Sequence, residues 1–90
     1  MKRYIVERKL PGAGNMTPEE LKEISKTSVE VISGLQKSYL WIQSFVTEDK
    51  IYCIHEAESM EDIREHAKRG NFPVHKIEEI ITIIDPHTAV

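Results

Sequence analysis

The chain has 90 residues, of which 40% are hydrophobic and 30% charged, with a formal charge of −3 at pH 7. This length and composition predict one folded domain over residues 1–90 and exclude a disordered chain. The acidic balance and the scattered basic residues argue against nucleic acid as a partner, and no apolar run is long enough to span a membrane. Because there is one cysteine and no signal-peptide core follows the basic start, we expect a cytoplasmic protein.

The first third of the chain predicts a strand followed by a long helix. Residues Lys2–Lys9 alternate between apolar and polar side chains, which is typical of a strand. A loop rich in glycine then leads to Thr17, which can cap a helix that begins at Pro18. Apolar residues recur at helical spacing from there, and the helix should end by Lys37 or Ser38.

The centre of the chain predicts an antiparallel hairpin. Leu40–Thr47 and Ile51–Ala57 are rich in aromatic and β-branched residues, and a polar tripeptide joins them. A short turn fixes which side chains share a face. One face is expected to hold Ile42, Ser44, Val46, Ile51, Cys53, His55 and Ala57. The other is expected to hold Trp41, Gln43, Phe45, Tyr52, Ile54 and Glu56.

A second helix and a last strand complete the predicted pattern. Ser59 can cap a helix with acidic residues in its first turn, and Gly70 is its natural end. Ile77–Asp85 is apolar on both faces, which predicts a strand that ends before Pro86. The order strand, helix, strand, strand, helix, strand indicates an α+β, ferredoxin-like βαββαβ fold, in which two helices cover one face of a four-stranded antiparallel sheet.

The sheet face without helices is predicted to be a dimer interface. It would carry Trp41, Phe45, Tyr52 and Ile54, a patch too apolar for a monomer. Packing this face against a second copy would bury it, so we expect a homodimer. Glu7, a carboxylate within the first strand, is assigned to the same face or to a pocket beside it.

Cysteine and histidine supply the candidate metal ligands. Cys53 and His55 lie on the same side of one strand, about 7 Å apart at the backbone, and a thiol with an imidazole suits a borderline metal ion. The alternative for Cys53 is a small apolar core residue. His66 is a candidate metal ligand or proton shuttle, and otherwise a hydrogen-bonded packing residue. His75 and His87 lie in a predicted loop and tail, where they could bind metal adventitiously.

Two strand carboxylates have open roles. Glu56 joins the candidate metal ligands, and Glu7 and Glu56 could also act as acid or base in a small cavity. The alternative, which is the ordinary role of such residues, is an ion pair with Arg3 or Arg8 or with a partner subunit.

Motifs along nearly the whole chain resemble a small bacterial family that was first catalogued as a domain of unknown function. They are Tyr4-Ile5-Val6-Glu7-Arg8, Leu10-Pro11-Gly12, Trp41 with Ser44, Asp49-Lys50-Ile51-Tyr52-Cys53, Arg64-Glu65-His66-Ala67, Gly70 with Phe72-Pro73, and Ile84-Asp85-Pro86 with Thr88. One described type of member binds nickel, has a ferredoxin-like fold and is dimeric. The resemblance implies this fold, a dimer and a surface metal role. The chain departs from the family pattern at Gln43, where relatives often carry His, and at His55, where they often carry an aromatic residue.

Together these features predict a small cytoplasmic binding protein, with nickel or another divalent transition metal as the ligand, in sequestration or response. An enzyme of the monooxygenase or isomerase type stays the alternative, with an aromatic-lined pocket formed by Trp41, Tyr52, Glu56 and His66. A non-catalytic interaction module is the third reading. No Ser-His-Asp set and no Cys-x-x-Cys motif is visible in the sequence.

Overall fold

The computed structural model describes all residues from Met1 to Val90. Its elements are β1 (Lys2–Lys9), α1 (Pro18–Leu35), β2 (Tyr39–Val46), β3 (Lys50–Ala57), α2 (Met60–Gly70) and β4 (Lys76–Glu79), with short 3-10 turns at Ala13–Asn15 and Pro86–Ala89. The strands form one antiparallel sheet in the order β2-β3-β1-β4. The predicted α+β, ferredoxin-like fold is therefore confirmed. Neither helix has the length and apolar character that crossing a membrane requires.

Both helices begin at the predicted caps. The Thr17 hydroxyl accepts from the backbone N–H of Glu20, and the Glu20 carboxylate accepts from the N–H of Thr17. These reciprocal bonds satisfy two amide groups that the first turn of α1 leaves free. In α2 the residue after Gly70, Asn71, takes the left-handed conformation with φ 56°. Gly70 itself does not adopt the left-handed conformation. A glycine is needed at position 70 because the Phe72 ring lies where a side chain there would project.

A bulge in β2 changes the predicted distribution of side chains. Trp41 is paired with His55 and Ser44 with Cys53, so Ile42 is an extra residue in the ladder. The expectation that Trp41 lies on the uncovered face is wrong, since the bulge carries it to the helix-covered face with His55. One inserted residue moves every preceding side chain of the strand to the opposite face of the sheet. The prediction failed because it assumed a regular hairpin without a bulge.

The last strand is shorter than predicted. Strand β4 ends at Glu79, which pairs with Tyr4, and Ile80 donates one further hydrogen bond to the carbonyl of Arg3. Beyond this point β1 offers few residues for pairing, because it begins at Lys2. The apolar segment that follows is exposed, with Ile81 82% and Ile84 74% accessible.

The core lies between the sheet and the helices. Its buried residues are Tyr4, Val6, Ala13, Leu35, Tyr39, Ile51, Cys53, Ala57 and Ile63. Val31, Ile32 and Leu35 bring the second half of α1 onto this cluster. The first half of α1 is less buried, and a cavity lies beneath it.

Candidate functional site

A cavity of about 550 Å³ opens between the first half of α1, the β2–β3 hairpin and the segment after α2. This volume is within the range of small-molecule sites in proteins. Apolar walls come from residues on all three sides, among them Leu21, Ile24, Val46, Ile51 and Phe72. Polar residues also line the cavity, and the most deeply buried of them, Arg8, His55 and His66, lie at its inner end, where β1, β3 and α2 meet.

Two histidines from different elements meet at the inner end. His55 of β3 and His66 of α2 are each 1% exposed, and their ring centroids are 5.0 Å apart. The Nε2 atom of His66 is hydrogen-bonded to the Ser28 hydroxyl of α1 at 2.9 Å. The Nδ1 atoms of both rings are buried and have no hydrogen-bond partner. Unpartnered buried nitrogens are unusual, since most buried polar atoms are satisfied.

Both imidazoles are neutral at physiological pH. Burial lowers the pKa of His55 to about 3, and the adjacent His66 and then Arg8 act in the same direction. Burial also lowers the pKa of His66 to about 4, with a further contribution from the positive charge of Arg8. Removing a cation from water is costly, so the uncharged ring is favoured in both cases. Each ring therefore keeps one nitrogen lone pair.

Arg8 brings a buried positive charge to the same place. It lies in β1, is 5% exposed and lines the cavity. Its Nε donates to the Cys53 sulfur at 3.4 Å and its Nη1 donates to the carbonyl of Pro73 at 2.8 Å. The guanidinium carbon is 5.4 Å from the centroid of the Phe72 ring, in cation–π geometry. None of the ion pairs in the structure involves Arg8.

Aromatic and hydroxyl groups complete the inner wall. The Trp41 indole N–H donates to the Ser44 hydroxyl at 2.9 Å across the β2 bulge, and both residues line the cavity. The Tyr39 ring is stacked on His66 and makes an edge contact with His55. Its hydroxyl is buried without a hydrogen-bond partner, and burial raises its pKa. The aromatic rings thus hold both histidines in place.

The structure divides the residues that the sequence singled out between the two sheet faces. Cys53, His55, His66 and Trp41 line the cavity. Glu56 lies on the uncovered face, where its carboxylate accepts from Arg3 Nε at 2.7 Å. It therefore pairs with Arg3, which is the ordinary role weighed for it, and is separated by the sheet from the other three candidate metal ligands.

The remaining uncovered-face residues also follow the strand register. Glu7 lies 3.5 Å from both Lys50 Nζ and His75 Nε2, so its partner is not one of the arginines. Phe45 pairs with Tyr52 in the β2–β3 ladder, and Phe45 is 52% exposed. Ile54 pairs with Ile5 of β1 on the same face. Phe45, Tyr52 and Ile54 therefore lie on the uncovered face as expected, whereas Trp41 does not.

The side chains of one chain do not make a complete metal site. No group of three or more His, Cys, Asp or Glu residues lies close enough together to hold a metal ion. His55 and His66 supply two neutral nitrogen ligands, and the nearby Cys53 sulfur already accepts from a cation. The positive charge of Arg8 also opposes the approach of a divalent ion.

Sequence reasoning missed Arg8, Ser28 and Phe72 as members of the site. Arg8 has the same strand parity as the buried Tyr4 and Val6, so alternation alone would have placed it on the helix-covered face. Ser28 is on the apolar stripe of α1, where a polar residue indicates a buried partner. Phe72 gave no such signal, because its position depends on the chain turning back at Asn71.

Comparison with known proteins agrees with this architecture. The crystal structure of SCO4226 from Streptomyces coelicolor A3(2) superposes with a TM-score of 0.77, covering 91% of this chain and 99% of that chain, at 16% sequence identity. At this identity the likeness concerns the fold alone. No curated protein matches the chain. Residues 4–80 match the profile of a family described as nickel responsive protein SCO4226-like. The chain therefore belongs to the SCO4226-like family of nickel responsive proteins.

Proposed function

We propose that the protein is a small binding protein whose ligand is nickel or another divalent transition metal ion, with His55 and His66 as the nitrogen ligands. The observation that carries the proposal is the pair of neutral imidazoles, 5.0 Å apart between centroids, each with a buried Nδ1 that has no partner. Neutral imidazole is a good ligand for nickel, copper and zinc. The family description supports nickel among these ions.

The composition of the site limits the strength of binding. Two histidines leave most of the coordination sphere to water or to groups from another chain, and Arg8 opposes the metal charge. A site of this kind suits a protein that samples and releases its metal better than one that needs a metal to fold. The proposal places the protein in the cytoplasm, where the buried Cys53 thiol stays reduced.

A homodimer is part of the same proposal. The uncovered face carries the exposed Phe45 and Leu40, with Ile54 and Ile5 beside them. Burying such area is the main driving force of association in water.

Calorimetric titration of nickel into untagged protein tests the metal proposal. His55→Gln and His66→Gln should each abolish binding, because each removes one of two imidazoles. The matched control is the double change His75→Ala with His87→Ala, which removes two exposed histidines and should leave binding intact. Circular dichroism of each variant verifies that it is folded. Loss of binding in the control alone would mean that the metal binds adventitiously on the loop and tail, and the proposal would be wrong.

The cavity supports a second candidate, an enzyme that holds an apolar substrate against Trp41 and Phe72. The only carboxylate that lines the cavity is that of Glu23, on the exposed side of α1, so acid–base chemistry would depend on the two histidines. The same variants distinguish the two candidates. If the protein is a metal-binding protein, His55→Gln and His66→Gln abolish nickel binding. If it is an enzyme, these two variants leave nickel binding unchanged.

A further inference from the structure

We propose that the cavity binds a small organic carboxylate, whose charged group pairs with the guanidinium of Arg8 and whose apolar body lies against α1 and Phe72. This is a second ligand, different from the metal ion, and the proposal holds whether or not nickel binds. It rests on an imbalance of charge and on the shape and lining of the cavity.

The charge imbalance is centred on Arg8. Arg8 is only 5% exposed, yet no carboxylate forms an ion pair with it. A guanidinium has five N–H donors, and here one nitrogen donates to a neutral carbonyl and another to a sulfur. Buried charges in proteins are normally paired, because an unpaired one loses its hydration without compensation. An anion in the cavity would supply the missing partner.

The same chain provides an internal comparison. Arg3 lies on the same strand as Arg8 but on the opposite face, is more exposed and is paired with Glu56. Arg8 is the more buried of the two and is the one that lacks a carboxylate. Burying the charge of Arg8 costs more free energy than placing Arg3 at the surface. A ligand anion that pairs with Arg8 would offset that cost.

The lining of the cavity identifies the class of anion. Most of the cavity surface is apolar, with Leu21, Ile24 and Val46 among its lining residues, so a ligand with an apolar body fits it better than a bare inorganic anion. A carboxylate matches the planar fork of a guanidinium through two parallel hydrogen bonds. The volume of about 550 Å³ leaves room for an apolar group attached to it.

Trp41 makes the proposal testable. It is the only tryptophan of the chain and lines the cavity, so its fluorescence reports occupancy. Phenylacetate and acetate are titrated into untagged protein in the presence of EDTA, with phenylacetamide as the neutral isostere of phenylacetate. Phenylacetate should bind at least about tenfold more tightly than phenylacetamide, and more tightly than acetate. The chelator separates this result from the metal proposal, because no metal is available.

Variants locate the charge that is responsible. Arg8→Gln should weaken phenylacetate binding by at least about tenfold, and Arg8→Lys should weaken it less because a charge remains. Arg3→Gln is the matched control and should leave the affinity unchanged. If Arg8→Gln does not fold, the comparison of acid with amide on the unaltered protein still decides. Equal binding of acid and amide, the same loss with Arg3→Gln, or no binding of any carboxylate below about 10 mM would overturn the proposal.

Discussion

The two faces of the sheet differ in how completely their polar side chains are paired. On the uncovered face, charged side chains satisfy one another, as Arg3 does with Glu56 and Glu7 does with Lys50. On the helix-covered face, the polar groups are more deeply buried and less completely satisfied. Arg8 has no carboxylate partner there, and one nitrogen of each histidine has no partner at all.

This contrast indicates a different kind of partner for each face. The charges of the uncovered face are paired, but apolar side chains such as Phe45 are exposed, so a protein surface is the partner that would bury them. On the covered face Arg8 has no carboxylate partner and two ring nitrogens have no hydrogen-bond partner, which agrees with the ligands proposed for this face. Stability of the single chain should therefore depend on the covered face, and association on the uncovered face.

Removing apolar bulk from the covered face should give the largest effect. Ile63 of α2 is 0% exposed and belongs to the core cluster. Ile63→Ala should lower the free energy of unfolding by about 3 kcal/mol, because it removes buried methyl groups and leaves a cavity. The matched control Ile81→Ala, at a position 82% exposed, should change it by less than about 0.5 kcal/mol. Urea denaturation measures both, and equal effects would contradict the contrast between the two positions.

Lowering the pH should give the second largest loss in the free energy of unfolding, because two neutral histidines are buried on the covered face. His55 and His66 have pKa values near 3 and 4 in the folded chain, below the value of an unfolded histidine, about 6.5. The unfolded state therefore takes up protons first, and stability falls as pH drops from about 6.5 towards 4. Between pH 6.5 and 5 each histidine should contribute a loss of about 2 kcal/mol.

Variants of the histidines isolate this contribution. His66→Gln should make the free energy of unfolding less dependent on pH over this interval. His75→Gln, at an exposed histidine, should leave the dependence unchanged. Denaturant unfolding at a series of pH values provides the measurement, and an unchanged slope in His66→Gln would show that His66 is not buried in its neutral form.

The fold was predictable from the sequence because local signals agreed with one another. The Thr17 capping box, the polar hairpin turn and the Ser59 cap each set one boundary within a residue or two of the observed position. The strand order followed from the sequence of elements. Two errors came from tertiary effects that no local pattern carries, namely the bulge at Ile42 and the early end of β4.

The site was predictable only in part. Cys53 and His55 were correctly placed together on the helix-covered face, because strand alternation determines it. The approach of His66 to His55 depends on how α2 packs on β3, and the sequence marks only which side of α2 is apolar. Glu56 was grouped with them by chemistry, although its parity in the strand placed it on the other face. The unpaired state of Arg8 requires knowledge of all its neighbours at once.

Placing a charge on the uncovered face tests whether that face is covered by a second copy. Light scattering should give about twice the 10.4 kDa chain mass for the unaltered protein. Phe45→Asp should reduce this to the mass of one chain, because the interface would otherwise bury an unpaired carboxylate. Val29→Asp changes a residue of similar exposure on α1, 57% against 52%, and should leave the mass unchanged. A monomeric unaltered protein at micromolar concentration would contradict the dimer.

The smallest expected effect concerns the ion pair between Arg3 and Glu56, and it reports on the same face. In a single chain both side chains are partly exposed, 40% and 20%, so their coupling should be about 0.5 kcal/mol. If a second copy covers the pair, water is excluded and the coupling should rise above about 1.5 kcal/mol. A double-mutant cycle with Arg3→Gln and Glu56→Gln measures it from denaturant unfolding. The cycle is run in the Phe45→Asp background and in the unaltered protein at high concentration. A larger coupling in the unaltered protein would place the pair beneath the partner. Equal coupling in both backgrounds would mean that this end of β1 and β3 lies outside the interface.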